Sequence, residues 1–158
     1  DFIGLRGLSF VCNAAYIYSR VRFEEGAPER DRPLAGQSPY LVNAGFFYQY
    51  DDKGISASLL YNRIGKRIES VGVPMQNQDE DIPDIYEMPR NSLDLTFSKK
   101  IGKIVEIKAG IQDILNSKVE YKQFVKLTDD KGGKSEREQL IRSYRPGVDI
   151  NIGVSLRF

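Results

Sequence analysis

The chain has 158 residues, 41% hydrophobic and 28% charged, with 23 lysines and arginines against 22 aspartates and glutamates. That balance leaves no net basic field to attract nucleic acid, and no apolar run approaches the roughly 18 to 20 residues of a membrane-spanning helix. A single cysteine, Cys12, and the absence of histidine exclude an internal disulfide and a Cys/His zinc site.

Period-2 alternation organises the chain in six segments. The first predicted strand runs from about Leu8 to Phe23, with Leu8, Phe10, Cys12, Ala14, Tyr16 and Tyr18 on one face and Ser9, Asn13 and Ser19 on the other. Pro39 bounds the second, in which Tyr40, Val42, Ala44, Phe46, Tyr48 and Tyr50 alternate with Asn43, Gly45 and Gln49. It stops at Asp51-Asp52-Lys53-Gly54, a turn whose glycine accepts positive φ. The third opens at Ile55, sets Ile55, Ala57, Leu59 and Tyr61 against Ser56, Ser58 and Asn62, then becomes charged through Lys66 and Arg67; its pattern dissolves beyond Gly72.

The fourth segment, Ser92 to Ser98, alternates Leu93, Leu95 and Phe97 with Asp94 and Thr96. A tight turn at Lys100 to Lys103 leads to the fifth, where Val105, Ile107, Ala109 and Ile111 oppose Glu106, Lys108, Gly110 and Gln112. In the sixth, Val148, Ile150, Ile152, Val154, Leu156 and Phe158 alternate with Asp149, Asn151, Gly153, Ser155 and Arg157. Helix-period patterning is weak; Ile111 to Leu115 is too short to stand alone as a helix.

The connections sort by length. Tight turns join segments two to three and four to five, whereas long polar stretches occupy Glu24 to Ser38, Val73 to Arg90 and roughly Lys118 to Gly147. Short turns at one end of a sheet and long loops at the other are the asymmetry of outer-membrane barrels. The expectation is an all-β, antiparallel, up-and-down transmembrane β-barrel, with this chain supplying about six strands. Phe10, Tyr16, Phe46, Tyr48, Leu93, Leu95, Phe97, Ile107, Ile111, Ile150 and Ile152 are then expected to face lipid, and Asp94, Glu106, Lys108, Asp149 and Arg157 the lumen. Tyr48, Tyr50, Phe97 and Phe158 fall toward the short-turn end as one aromatic girdle, with Tyr16, Tyr18, Tyr40 and Tyr61 toward the other.

At this point the sequence resembles the TonB-dependent outer-membrane receptors, in particular the Bacteroidota type. The resembling stretches are Arg32-Pro33-Leu34-Ala35-Gly36-Gln37-Ser38-Pro39-Tyr40 leading into Asn43-Ala44-Gly45, then Leu60-Tyr61-Asn62-Arg63-Ile64-Gly65-Lys66-Arg67-Ile68. Next come Pro83-Asp84-Ile85-Tyr86-Glu87-Met88-Pro89-Arg90 and Gly110-Ile111-Gln112-Asp113-Ile114-Leu115-Asn116, before an alternating strand that ends in Phe158. Each motif alone is loose; their order and spacing carry the likeness.

The resemblance implies that residues 1–158 are the carboxy-terminal part of a barrel of about 22 strands with a plugged lumen. It further implies localisation in the cell outer membrane and active import of a nutrient such as a siderophore, cobalamin, a glycan or a peptide. The plug, and with it the contact to the TonB energy-transducing system, is expected amino-terminal to Asp1, so the chain is expected to be a piece of a longer protein. The implied partners are the remaining barrel strands, the barrel-assembly machinery, and outer-membrane lipid and lipopolysaccharide. No cofactor is implied.

A final amphipathic strand with a terminal aromatic resembles the signal read by the barrel-assembly machinery, which assigns that role to Val154, Leu156 and Phe158; backbone pairing would supply affinity and alternate side chains specificity. The acidic stretch Asp79, Glu80, Asp81 and Asp84 could hold calcium, but it lacks EF-hand spacing and reads as a solvated loop. Asp129 to Lys134 reads as a loop tip, since no Gly-Lys-Ser/Thr ending makes it a phosphate cradle. With no histidine base and no Ser-x-x-Lys arrangement, the chain is not expected to be an enzyme. Two alternatives stand beside the importer: a non-transporting structural or adhesive outer-membrane barrel, and a soluble β-barrel or sandwich binding a small apolar ligand.

Overall fold

The computed structural model describes residues 7–27, 29, 31–75, 81–128 and 134–157. Among the described residues ten strands form: β1 (Leu8–Tyr16), β2 (Tyr40–Tyr50), β3 (Ile55–Ile64), β4 (Arg67–Ser70), β5 (Ile85–Glu87), β6 (Arg90–Ile101), β7 (Val105–Gln112), β8 (Val119–Thr128), β9 (Lys134–Tyr144) and β10 (Asp149–Leu156). All named pairings are antiparallel, and the fold is all-β.

The strands divide into a six-stranded sheet, ordered β1-β2-β3-β6-β7-β10, and a four-stranded sheet, ordered β4-β5-β8-β9. The six segments legible in the sequence are the six strands of the larger sheet, in chain order. Its pairings run without a bulge. It is an open sheet, with β1 and β10 as its edges.

The turns fix the two ends. The β2–β3 connection is one 3-10 turn, Asp51–Lys53, closed by Gly54 at φ 58°, whose N–H donates to the Asp51 carbonyl. A Cβ at Gly54 would come within 2.8 Å of the Lys100 Cβ, so both the left-handed conformation and the close approach require glycine. The β6–β7 turn and the end of β10 lie at this same end, where the Arg157 N–H donates to the Ile104 carbonyl at 2.9 Å. All three long connections leave from the opposite end.

Those long connections are where expectation and structure part. The stretch from Lys118 to Gly147, read as loop, is mostly the hairpin β8–β9, and Arg67–Ser70 and Ile85–Glu87 pair as β4 and β5. The first strand is also shorter than expected, ending at Tyr16 so that Tyr18 lies beyond it, and β6 extends past Ser92 and Ser98 at both ends. The four-stranded sheet repeats the lateral order of the strands that feed it: β3 leads to β4, β5 to β6, β7 to β8, and β9 to β10.

A seam separates the two sheets because each strand path is broken there. Gly65 and Lys66 interrupt the first path. Met88 and Pro89 interrupt the second, Pro89 having no N–H for a ladder. Asp113 and Asn116, at φ 52° and 43°, turn the third, and Pro146 with Gly147 at φ 97° turns the fourth. Asp and Asn are the non-glycine residues that best tolerate this left-handed region.

The buried hydrophobic side chains all belong to the smaller sheet, and in the larger one Gly45 and Gly110 are the buried positions among those described. Ile68, Val119 and Tyr121 are the buried hydrophobic residues among those described. Every residue of β1 and β10 is exposed, as expected of edges with no layer above or below. The accessible surface is 11907 Å², against roughly 8,000 Å² for a compact monomer of this mass.

Candidate functional site

Directly opposed residues of an antiparallel pair share a face, so the unbroken register assigns each side chain of the six-stranded sheet to a face. One row runs Phe10–Phe46–Leu59–Leu95–Ile111–Ile150 across all six strands. The next includes Tyr48, Ala57, Phe97, Ala109 and Ile152. Tyr16, paired with Tyr40, and Leu93, paired with Tyr61, join the same face, as does Ile107, paired with Val154. All eleven residues expected on the apolar phase therefore lie together on one surface. The surface is open: Phe10 is 56% exposed, Phe97 43% and Ile152 75%. Phe10 and Phe46 stack with ring centroids 4.7 Å apart.

The opposite face is polar and internally hydrogen-bonded. Asn62 donates to the Asn43 side chain and Asn43 to Asn13, a ladder across β1, β2 and β3. Ser56 pairs with Ser98, and Ser58 with Thr96. Asp94, Glu106, Lys108 and Asp149 lie on this face by register, Arg157 follows in phase, and Glu106 meets both Lys108 and Arg157. This face also carries an apolar island that alternation alone conceals: Phe47 and Leu60 fold over Gly45, where a Cβ would lie 2.8 Å from the Phe47 ring. A shallow depression of about 450 Å³ near the short turns, lined in part by Ser9, Phe47, Gln49, Ser58 and Thr96, is too open to enclose a ligand.

The seam is stitched by polar contacts. Arg90 pairs with Asp113, and the Asp113 N–H donates to Asp94 Oδ1 at 2.8 Å. Asn116 accepts from Arg145 through its carbonyl and from the Gly147 N–H through its side chain, at 2.9 and 3.1 Å. The Gly65 N–H donates to the Tyr40 carbonyl and the Gly36 N–H to the Ile68 carbonyl. Segments 32–40, 60–68, 83–90 and 110–116, far apart in sequence, thus meet along one line.

The smaller sheet holds charge against rings. Lys66 Nζ sits 4.0 Å from the Tyr86 ring centroid and 3.7 Å from that of Phe124, and the two rings meet edge to face. Burial lowers the Lys66 ammonium from its ordinary value, while the nearby carboxylates of Glu136 and Glu138 oppose that shift. Arg67 makes two hydrogen bonds to Glu87, and Arg142 lies over Tyr121. Lys122 bridges Glu120 and Glu138.

The remaining candidates resolve simply. Val154 and Leu156 lie on the apolar face of edge strand β10 near the short turns, and Phe158 falls outside the described residues. Asp84 accepts from the Gly72 N–H and from the Tyr86 hydroxyl, and Asp81 accepts from the Met75 N–H, so both carboxylates shape their hairpin. Asp79, Glu80 and residues 129–133 lie outside the described residues, and the described ones contain no group of three potential metal ligands. One cluster was missed in the sequence. Arg63 stands on the apolar phase of β3, in the row of Val42 and Asn91, where its parity with Leu59 and Tyr61 was the available signal.

The chain matches no protein-family model, no curated protein and no solved structure.

Proposed function

We propose that this chain forms part of the wall of an outer-membrane β-barrel, and that the barrel is an active importer of the TonB-dependent type. The observation that carries the first claim is the single apolar face shared by all six strands of the larger sheet, charged only at Arg63 and Lys99 near its two ends, exposed on β1, β2, β3, β6 and β10 and half-buried on β7. Moving those side chains from water into hydrocarbon is worth on the order of 10 kcal/mol in total, enough to decide where the face resides. On the apolar phase of β6, Leu93, Leu95 and Phe97 are uncharged between Asn91 and Lys99; that distance is about 27 Å along the strand, or ~20 Å across a bilayer at the usual barrel tilt, close to the height of an apolar barrel band. The backbone edges of β1 and β10 need partners in hydrocarbon, which further strands of the same barrel would provide.

The importer reading draws on the sequence resemblance, and the seam supports it. The four resembling stretches place their Gly, Pro, Asp and Asn residues where wall meets outer sheet, so the motifs coincide with a shared structural need. A non-transporting barrel would share the wall and differ in lacking a plug upstream. A soluble sandwich would need a second apolar layer over Phe10, Phe46, Leu95 and Ile152, and the described residues supply none.

The test is to express the complete product of the encoding gene in a Gram-negative host and separate the membranes by density. The reading expects the protein in the outer-membrane fraction, soluble only in detergent, with a plug domain preceding the barrel. Recovery from the soluble fraction would refute the wall assignment; an outer-membrane barrel without a plug would refute the importer alone.

A further inference from the structure

Arg63 interrupts an otherwise oily surface. Within the six strands the apolar phase carries two charges, Arg63 at the long-connection end and Lys99 at the short-turn end, and no carboxylate. The other face behaves differently, with Glu106 paired to Lys108 and Arg157. Neutral groups hold Arg63 instead: Nε donates to the Tyr40 hydroxyl at 3.3 Å and Nη1 to Asn91 Oδ1 at 2.8 Å. The Tyr61 hydroxyl donates to the same Asn91 oxygen at 2.8 Å. Tyr40 is itself packed against Gly65, where a Cβ would lie 2.7 Å from the ring. Tyr16, opposite Tyr40, flanks the group and is 81% exposed.

A guanidinium has five N–H donors in a fixed fork. Tyr40 and Asn91 engage two of them, so the cation is oriented by neutral partners and keeps its full charge and further donors for a ligand. Arginine in this state is suited to bidentate phosphate recognition. From this we infer that Arg63, positioned by Tyr40, Asn91 and Tyr61, is a binding site for the phosphate of an outer-leaflet glycolipid, whose acyl chains would lie along Phe46, Leu59 and Leu95. The inference rests on the wall assignment above, which sets the cluster at headgroup depth. Plain snorkelling of an arginine into the interface predicts no preference among headgroups.

The experiment uses the complete encoded protein, purified in a non-ionic detergent, and titrates it with bisphosphorylated lipid A, with dephosphorylated lipid A and with inorganic phosphate, reading the rise in unfolding temperature. The expected result is a saturable rise with the phosphorylated lipid only. Arg63→Gln should weaken that response at least about tenfold, as loss of a charge-assisted bidentate contact does. Tyr40→Phe should weaken it less, and Lys99→Gln, at the far end of the same face, should leave it unchanged. An Arg63→Gln protein that responds as the parent does would overturn the site. Equal responses to both lipids would reduce it to acyl-chain binding, and a response to inorganic phosphate alone would make it a free-anion site; either result overturns the proposal. A protein needing no detergent would instead refute the wall assignment, so the two failures are distinguishable.

Discussion

Single residues in this chain are constrained most tightly where a path changes direction. Gly54 must hold a left-handed backbone while leaving room for Lys100, two demands that alanine meets only with strain. The conformational part costs about 1 to 2 kcal/mol, and the contact with the Lys100 backbone adds to it. Gly54→Ala is therefore expected to lower the thermal unfolding midpoint of the folded protein. Gly102→Ala should also destabilise, but less, because at φ 62° it meets nothing within 4 Å. Equal losses at the two glycines would contradict the steric part of this account. Alternation in the sequence indicated which face Gly54's neighbours occupy, and the Asp-Asp-Lys-Gly run indicated the turn. Arg63 was missed for a related reason: a charge at the end of an oily row reads as the point where a strand stops, and only the register joins it to Tyr40 and Asn91.

Elements differ in what holds them, and their response to pH should differ accordingly. In the smaller sheet, burial raises the phenol of Tyr86, with Asp84 adding to the shift, and burial likewise raises Tyr121, with Glu87 adding. A phenol raised above its ordinary 10.0 contributes stability that is fully present below that pH and is lost as pH rises through the folded-state value. Lys66, lowered by burial, acts with the opposite sign. The protection of the β8 amides against hydrogen exchange, relative to the base-catalysed intrinsic rate, should therefore fall above pH 10.0, and Tyr86→Phe should remove part of that fall; an unchanged profile in the variant would count against the assigned cause.

The six strands of the larger sheet were legible because each carries its own period-2 pattern, and β2 matches its expected bounds from Tyr40 to Tyr50. The strands of the smaller sheet were not. β4 and β5 have four and three residues, too few to display a period. β9, Lys-Ser-Glu-Arg-Glu-Gln-Leu-Ile-Arg-Ser-Tyr, has no alternating apolar face. It is ordered by pairing with β8 across its length, with contacts such as Lys122 to Glu138. Cross-strand partners of this kind are invisible until the pairing is known.

At the scale of the whole molecule, the uncovered surface is the property that demands explanation. Both edges of the larger sheet are open and its apolar side has no protein layer against it among the described residues. A bilayer and neighbouring strands would satisfy both requirements. On that account Ile152→Lys, near the middle of the apolar face, should destabilise the barrel by about 2 to 4 kcal/mol, the range for a cation at the bilayer midplane. Asn151→Lys, one residue away on the polar face, should cost much less, as judged by urea unfolding in lipid vesicles. Similar costs at the two positions would mean that both sides of β10 meet the same medium.

The most direct measurement places single cysteines at Ile150, Asn151, Ile152, Val154 and Ser155 in a Cys12→Ala background of the complete protein in lipid vesicles. Each is then challenged with a water-soluble maleimide and with a bilayer-resident one. Alternation is the predicted result: positions 150, 152 and 154 react from the lipid, and 151 and 155 from water. If the three apolar positions react with the water-soluble reagent as readily as the two polar ones, or are shielded from both reagents inside a protein core, the wall assignment is wrong.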